Sequence, residues 1–146
     1  AGAEAAPPPP APPVQEALPP EYTTQDVTAA LQEVGSTFSA LADEVERRLG
    51  KRLSANDLKI LLTLYDHLAL PGEVILMLVT WCIEETERKY GPGRRPFLSQ
   101  VRKEGFAWSR QGIDTVEAAE AHLKKLAQLR TREREVLRLL DIPARP

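Results

Sequence analysis

The chain has 146 residues, 42% hydrophobic and 27% charged, which allows one globular domain and leaves little room for a second. Its single cysteine, Cys82, excludes an internal disulfide framework and a multi-cysteine zinc site. The longest apolar stretch, residues 74–83, falls well short of the roughly 20 residues a spanning helix needs, and the N-terminus lacks the basic start and apolar core of a secretory signal. The net charge of −2 is uneven: residues 1–50 carry eight acids and two bases, residues 94–146 seven acids and twelve bases. A basic back half points toward a polyanion, or else its cations merely solvate long helices.

Residues 1–20 hold eight of the thirteen prolines. They have too few apolar side chains to offset the entropy of ordering, and the proline run favours an extended spacer. Residues 1–21 therefore read as a disordered Pro/Ala-rich linker. No Arg or Lys flanks the run to support a role as a ligand for a proline-recognising module. A linker at the start, and Met77 as the sole methionine, predict a processed product or a fragment whose preceding domain is missing.

Thr24 is the expected N-cap of a first helix with Asp26 in its first turn and Val27, Ala30 and Leu31 on its apolar edge. Gly35 and Ser36 break and restart the chain. Phe38, Leu41, Val45 and Leu49 then recur at helical spacing, and Gly50 stands where a glycine ends a helix. Ser54 with Asp57 approximates a capping box. Leu58, Leu61, Leu62, Tyr65 and Leu68 form one stripe and Ile60 and Leu64 a second face, which predicts a central helix.

Pro71 is expected at the first position of the next helix, which is apolar nearly all round over residues 74–83. Glu84–Arg88 and Glu85–Lys89 are i,i+4 pairs on its solvated end. The run Gly91-Pro92-Gly93-Arg94-Arg95-Pro96 is a break. Residues 97–111 form a shorter helix carrying Val101, Phe106 and Trp108, closed by Gly112. Asp114 or Thr115 caps a last helix running toward Leu140, with fraying near Thr131. No β alternation is sustained and no repeat has a fixed period, so the class is all-α.

Catalytic groupings are poor. His67 and His122 are not in a metal-ligand spacing, and His67 reads as a helix-end residue. Cys82 has no adjacent histidine and reads as a small buried hydrophobe. Glu84, Glu85 and Glu87 have basic neighbours, and the glycines at 91 and 93 lack the GK[ST] of a phosphate loop. No enzyme, cofactor or metal is expected.

The basic residues are more informative. Arg94 and Arg95 precede Phe97 on the Gly/Pro loop, and Arg102, Lys103 and Arg110 surround Phe106 and Trp108. Cations for phosphates and ring faces for bases are what single-stranded nucleic acid requires. The competing reading makes Phe106 and Trp108 core. Arg130, Arg134 and Arg138 share one face of the last helix. Leu123, Leu126, Leu129, Val136, Leu137 and Leu140 on that helix exceed what one small core needs. Docking of a partner or a second copy there is the competing function.

Several fragments together resemble a known family. They are Leu49-Gly50, Leu53-Ser54 with Asp57-Leu58, Pro71 with Glu73-Val74-Ile75, and Trp108-Ser109-Arg110-Gln111-Gly112-Ile113 followed by Asp114-Thr115-Val116-Glu117. Their order and spacing over residues 22–126 resemble the helical domain of the DnaD family of bacterial and phage replication-initiation proteins. Of that family's Y-x-x-x-I-x-x-x-W motif only Trp108 is kept. Gln100 stands at the tyrosine position and Glu104 at the isoleucine position, the mark of a divergent branch.

The resemblance implies a compact all-α domain of about five to six helices over 22–126 with a helical extension over 127–146. It implies a cytoplasmic, non-catalytic primosome component that binds DNA, self-associates and contacts a replication initiator or helicase loader. A winged-helix domain commonly precedes such a domain, and the proline-rich start fits a linker from one. The DNA-binding residues on this reading are Arg94, Arg95, Arg102, Lys103 and Arg110, extended by Arg130, Arg134 and Arg138, with Trp108 structural or stacking. Single-stranded and duplex DNA both remain open.

Overall fold

The computed structural model describes residues 21–140; residues 1–20 of the linker expected over 1–21, and the last residues, 141–146, lie outside the described residues. Six α-helices follow in order, with no strand among the described residues: α1 (Thr24–Gln32), α2 (Thr37–Leu49), α3 (Ala55–Leu62), α4 (Gly72–Tyr90), α5 (Leu98–Arg110) and α6 (Val116–Leu139). A wide helical turn over Thr63–His67 continues α3.

Local chemistry sets most helix starts. Thr23, rather than Thr24, caps α1: its hydroxyl accepts from the Asp26 backbone N–H at 3.1 Å, and the Asp26 carboxylate accepts from the Thr23 N–H at 2.8 Å. Only a residue three before the acid can close that reciprocal box. Ser36 caps α2 and donates its hydroxyl to the Ala30 carbonyl at 2.6 Å, tying the start of α2 to α1. Gly50 ends α2 in the left-handed region, φ 69°, a conformation glycine adopts without a Cβ penalty. Ser54 and Asp57 form the full box at the start of α3.

After α3 the ladder widens. The Leu68 N–H donates to the Thr63 carbonyl, an i to i−5 bond of 3.0 Å. The added residue rotates the expected stripe, so Leu64 is fully buried while Tyr65 and Leu68 are only half-buried. The chain leaves this turn through Ala69, whose φ of 52° is left-handed.

Pro71 stands one residue before α4, where its carbonyl accepts the first helical bond from Ile75. Val74, Ile75, Leu78, Val79 and Cys82 are buried, and Leu76, Met77, Trp81 and Ile83 are half-buried. With α2, α5 and α6 all packed on it, α4 is the central element. Gly105 lets α5 approach closely, because a Cβ there would lie 2.5 Å from Leu64 Cδ2 and 3.2 Å from Leu78 Cδ2.

Of the two expected caps for α6, Thr115 serves, accepting from the Ala118 N–H at 3.1 Å. The helix does not fray at Thr131, whose hydroxyl donates to the Ala127 carbonyl within an unbroken helix. Its first half packs through Val116, Ala118, Ala119 and Leu123. Farther along, Leu129, Val136, Leu139 and Leu140 are exposed.

Candidate nucleic-acid interface

The end of α4, the loop over residues 91–97 and the start of α5 form one corner of the molecule. Tyr90 is 64% exposed and Phe97 71% exposed, so two rings stand at the two ends of the loop. Gly91 and Gly93 take positive φ values, 109° and 81°, which let the loop turn tightly. Buried Pro96 pins its far end. Arg94 is exposed. Arg95 is held by α4, its Nη1 donating to Glu87 Oε1 at 2.6 Å. Lys89 and Lys103 are exposed on the flanking helices. Gln100 supports the corner by accepting, through its side-chain oxygen, from the Phe97 backbone N–H at 3.2 Å.

Between α4 and α5 runs a groove of about 230 Å³. Trp81, Cys82, Glu85, Thr86, Lys89 and Tyr90 line it from α4, and Pro96, Gln100, Lys103 and Glu104 from the loop and α5. Gln100 and Glu104, the two departures from the family motif, therefore share one groove. A second groove of about 270 Å³ lies between α4 and α6, with Arg48, Met77, Trp81, Leu123, Leu126 and Arg130 in its walls. Arg48 of α2 crosses to α4, donating to Thr80 Oγ1 at 2.6 Å.

The nine residues predicted to touch nucleic acid fall into separate groups. Arg94, Arg95 and Lys103 belong to the exposed corner. Arg102 is half-buried, its guanidinium 4.9 Å from the centre of the Phe106 ring, a cation–π contact. Arg110 is exposed on the last turn of α5. Arg130 pairs with Glu85 and so clasps α6 to α4, while Arg134 and Arg138 are exposed beyond it. Trp108 is 1% exposed, with its ring edge-on to His122 at 5.5 Å. Its faces are covered, so its role is in the core and not in stacking.

The acids near the corner are largely engaged. Glu85 accepts from Arg88 at 2.7 Å and from Arg130, in place of the i,i+4 pairing with Lys89 that its spacing predicted. Burial pushes its carboxyl up, but the hydrogen bonds from Arg88 and Arg130 outweigh that and hold it below the ordinary range. Burial, reinforced by the charges of Glu104 and Glu85, raises the Cys82 thiol to about 12, which keeps it protonated and unreactive at neutral pH. Tyr90 and Lys89, which the sequence reading did not single out, are also exposed at this corner. A tyrosine and a lysine immediately before a Gly/Pro loop with two arginines were the available signal.

Among the described residues no group of three or more His, Cys, Asp or Glu side chains is placed to hold a metal ion. Nor is any helix there long and apolar enough to cross a membrane. The six-helix, strand-free fold of the described residues agrees with the helical domain that the sequence fragments resemble. Residues 42–123, from within α2 to within α6, match the family described as replication initiation and membrane attachment, and the chain belongs to that family. No curated protein and no solved structure matches it.

Proposed function

We propose that this domain is a non-catalytic, cytoplasmic module of replication initiation that binds single-stranded DNA at the corner formed by Tyr90, residues 91–97 and the start of α5. The observation that carries this reading is the exposure of two aromatic rings at the ends of a loop bearing Arg94 and Arg95. Phosphates would lie on Arg94, Arg95, Lys89 and Lys103, and unstacked bases on Tyr90 and Phe97. A duplex hides its ring faces, so the same rings favour a single strand.

Fluorescence anisotropy of a labelled single strand and of its duplex, at two salt concentrations, tests the proposal. The single strand is expected to bind more tightly, with affinity falling steeply as salt rises. Phe97→Ala removes one stacking platform and is expected to weaken binding about tenfold. Absence of binding at low salt, or a Phe97→Ala protein that binds as wild type does, overturns the reading.

A second reading is favoured by the exposed Leu129, Val136, Leu139 and Leu140 on α6. On it the domain is an adaptor whose last helix docks a replication initiator, a helicase loader or another copy of the chain.

A further inference from the structure

The last helix carries an exposed stripe with the spacing of a coiled coil. Leu126, Leu129, Glu133, Val136 and Leu140 recur at alternating steps of three and four, which makes them the a and d positions of a heptad. Leu126 is half-buried in the groove against α4, and Leu129, Val136 and Leu140 are 49%, 53% and 62% exposed. Glu133 is the one polar member, and a single polar a residue fixes register at some cost in stability. Beside the stripe stand the e and g positions. They are Lys125, Arg130 and Arg132, all basic, followed by Leu137 and Leu139. Lys125 and Arg132 are exposed, and Arg130 pairs with Glu85.

Flanking charges choose the partner of such a stripe. A second copy, parallel or antiparallel, sets base against base along the edges, and parallel pairing also sets Glu133 against Glu133. Two heptads bury too little apolar area to outweigh that repulsion. A bilayer suits the stripe less well, because Glu133 lies within it and opposes both acyl chains and anionic headgroups. A helix with acidic flanks covers the leucines and places its carboxylates on Lys125 and Arg132.

We propose that residues 126–140 form one strand of a heterotypic two-helix coiled coil. The other strand is an amphipathic helix of a partner protein, with Leu or Ile at its a and d positions and Glu or Asp at its e and g positions. The inference rests on the docking reading of α6, whose partner it specifies, and is independent of the DNA site.

The test uses the full chain and labelled synthetic three-heptad helices. One has Leu at a and d with Glu at e and g, a second replaces the Glu by Lys, and a third keeps the Glu but has Gln at a and d. Anisotropy measures their binding, sedimentation equilibrium the self-association of the chain, and co-sedimentation its binding to vesicles of mixed neutral and anionic phospholipid. The Leu helix with Glu flanks is expected to bind at least about tenfold more tightly than the other two. Val136→Asp, at an exposed position, is expected to abolish that binding with an unchanged circular dichroism spectrum. Arg132→Glu is expected to bring the ratio between Glu and Lys flanks toward one. Equal binding of the three helices, or a Val136→Asp protein that binds as wild type does, overturns the partner assignment. Self-association that Val136→Asp removes, without binding of the Glu-flanked helix, overturns the acidic partner and leaves the docking reading standing. Vesicle binding alone, or no binding in any assay, overturns both.

Discussion

Gly105 sets how closely α5 lies on the rest of the molecule. The methyl groups a Cβ would meet belong to Leu64 and Leu78, both fully buried. Gly105→Val is therefore expected to destabilise the domain by about 2 kcal/mol or more, even though it removes a residue unfavourable to helices. Urea denaturation, with the midpoint lowered at an unchanged slope, measures it. This residue was not legible in the sequence. The run over residues 103–108 reads as a helix containing a glycine, and only the crossing of Leu64 and Leu78 explains why. The burial of Trp108 was within reach, because a chain with 5% aromatic residues rarely leaves a tryptophan unused in its core. Its neighbour His122, on another helix, was not.

The caps of the helices follow from residues three positions apart, so Ser54 with Asp57 was readable and the start of α1 was placed within one residue. The widened turn after α3 was not readable, because nothing local separates an i to i−5 bond from an ordinary helical one. The clasp between α4 and α6 was equally hidden, since Glu85 and Arg130 lie 45 residues apart. The clasp gives the helices a shared dependence on pH. The folded pKa of Glu85 is lowered, so its contribution is complete above the ordinary glutamate pKa of about 4.3. It is lost as pH falls through the lower folded value. Wild type is expected to lose more stability than Glu85→Gln between about pH 5 and pH 3. The difference should reach about 1 kcal/mol at most for a partly solvated pair. Thermal melts of both proteins across that range measure it, and parallel curves would remove the clasp as a stabilising contact.

For the molecule as a whole, the all-α class was legible because caps, stripes and breaks are local. The site was legible only in part. Arg94, Arg95 and Phe97 could be marked on a loop, whereas the groove requires knowing that α4 and α5 lie side by side. At 24 residues α6 is about 36 Å long, and beyond Arg130 nearly all its residues are exposed. This segment separates the two functional readings. Leu137→Asp with Leu140→Asp is expected to abolish partner or self-association if the helix is a docking element. Arg134→Glu with Arg138→Glu is expected to weaken DNA binding and flatten its salt dependence if the helix extends the footprint. Light scattering and anisotropy on the two double variants decide between them. Arg130 is left intact in both, so the Glu85 clasp is undisturbed.

The chain has two tryptophans, and the fold gives them different surroundings. Trp108 lies in the core, while Trp81 is half-buried and lines the groove on α5 as well as the one beneath α6. The protein thus carries two intrinsic fluorophores that report different events. Occupation of either groove is expected to alter the emission of Trp81, and the emission of Trp108 is expected to change only when the helices come apart.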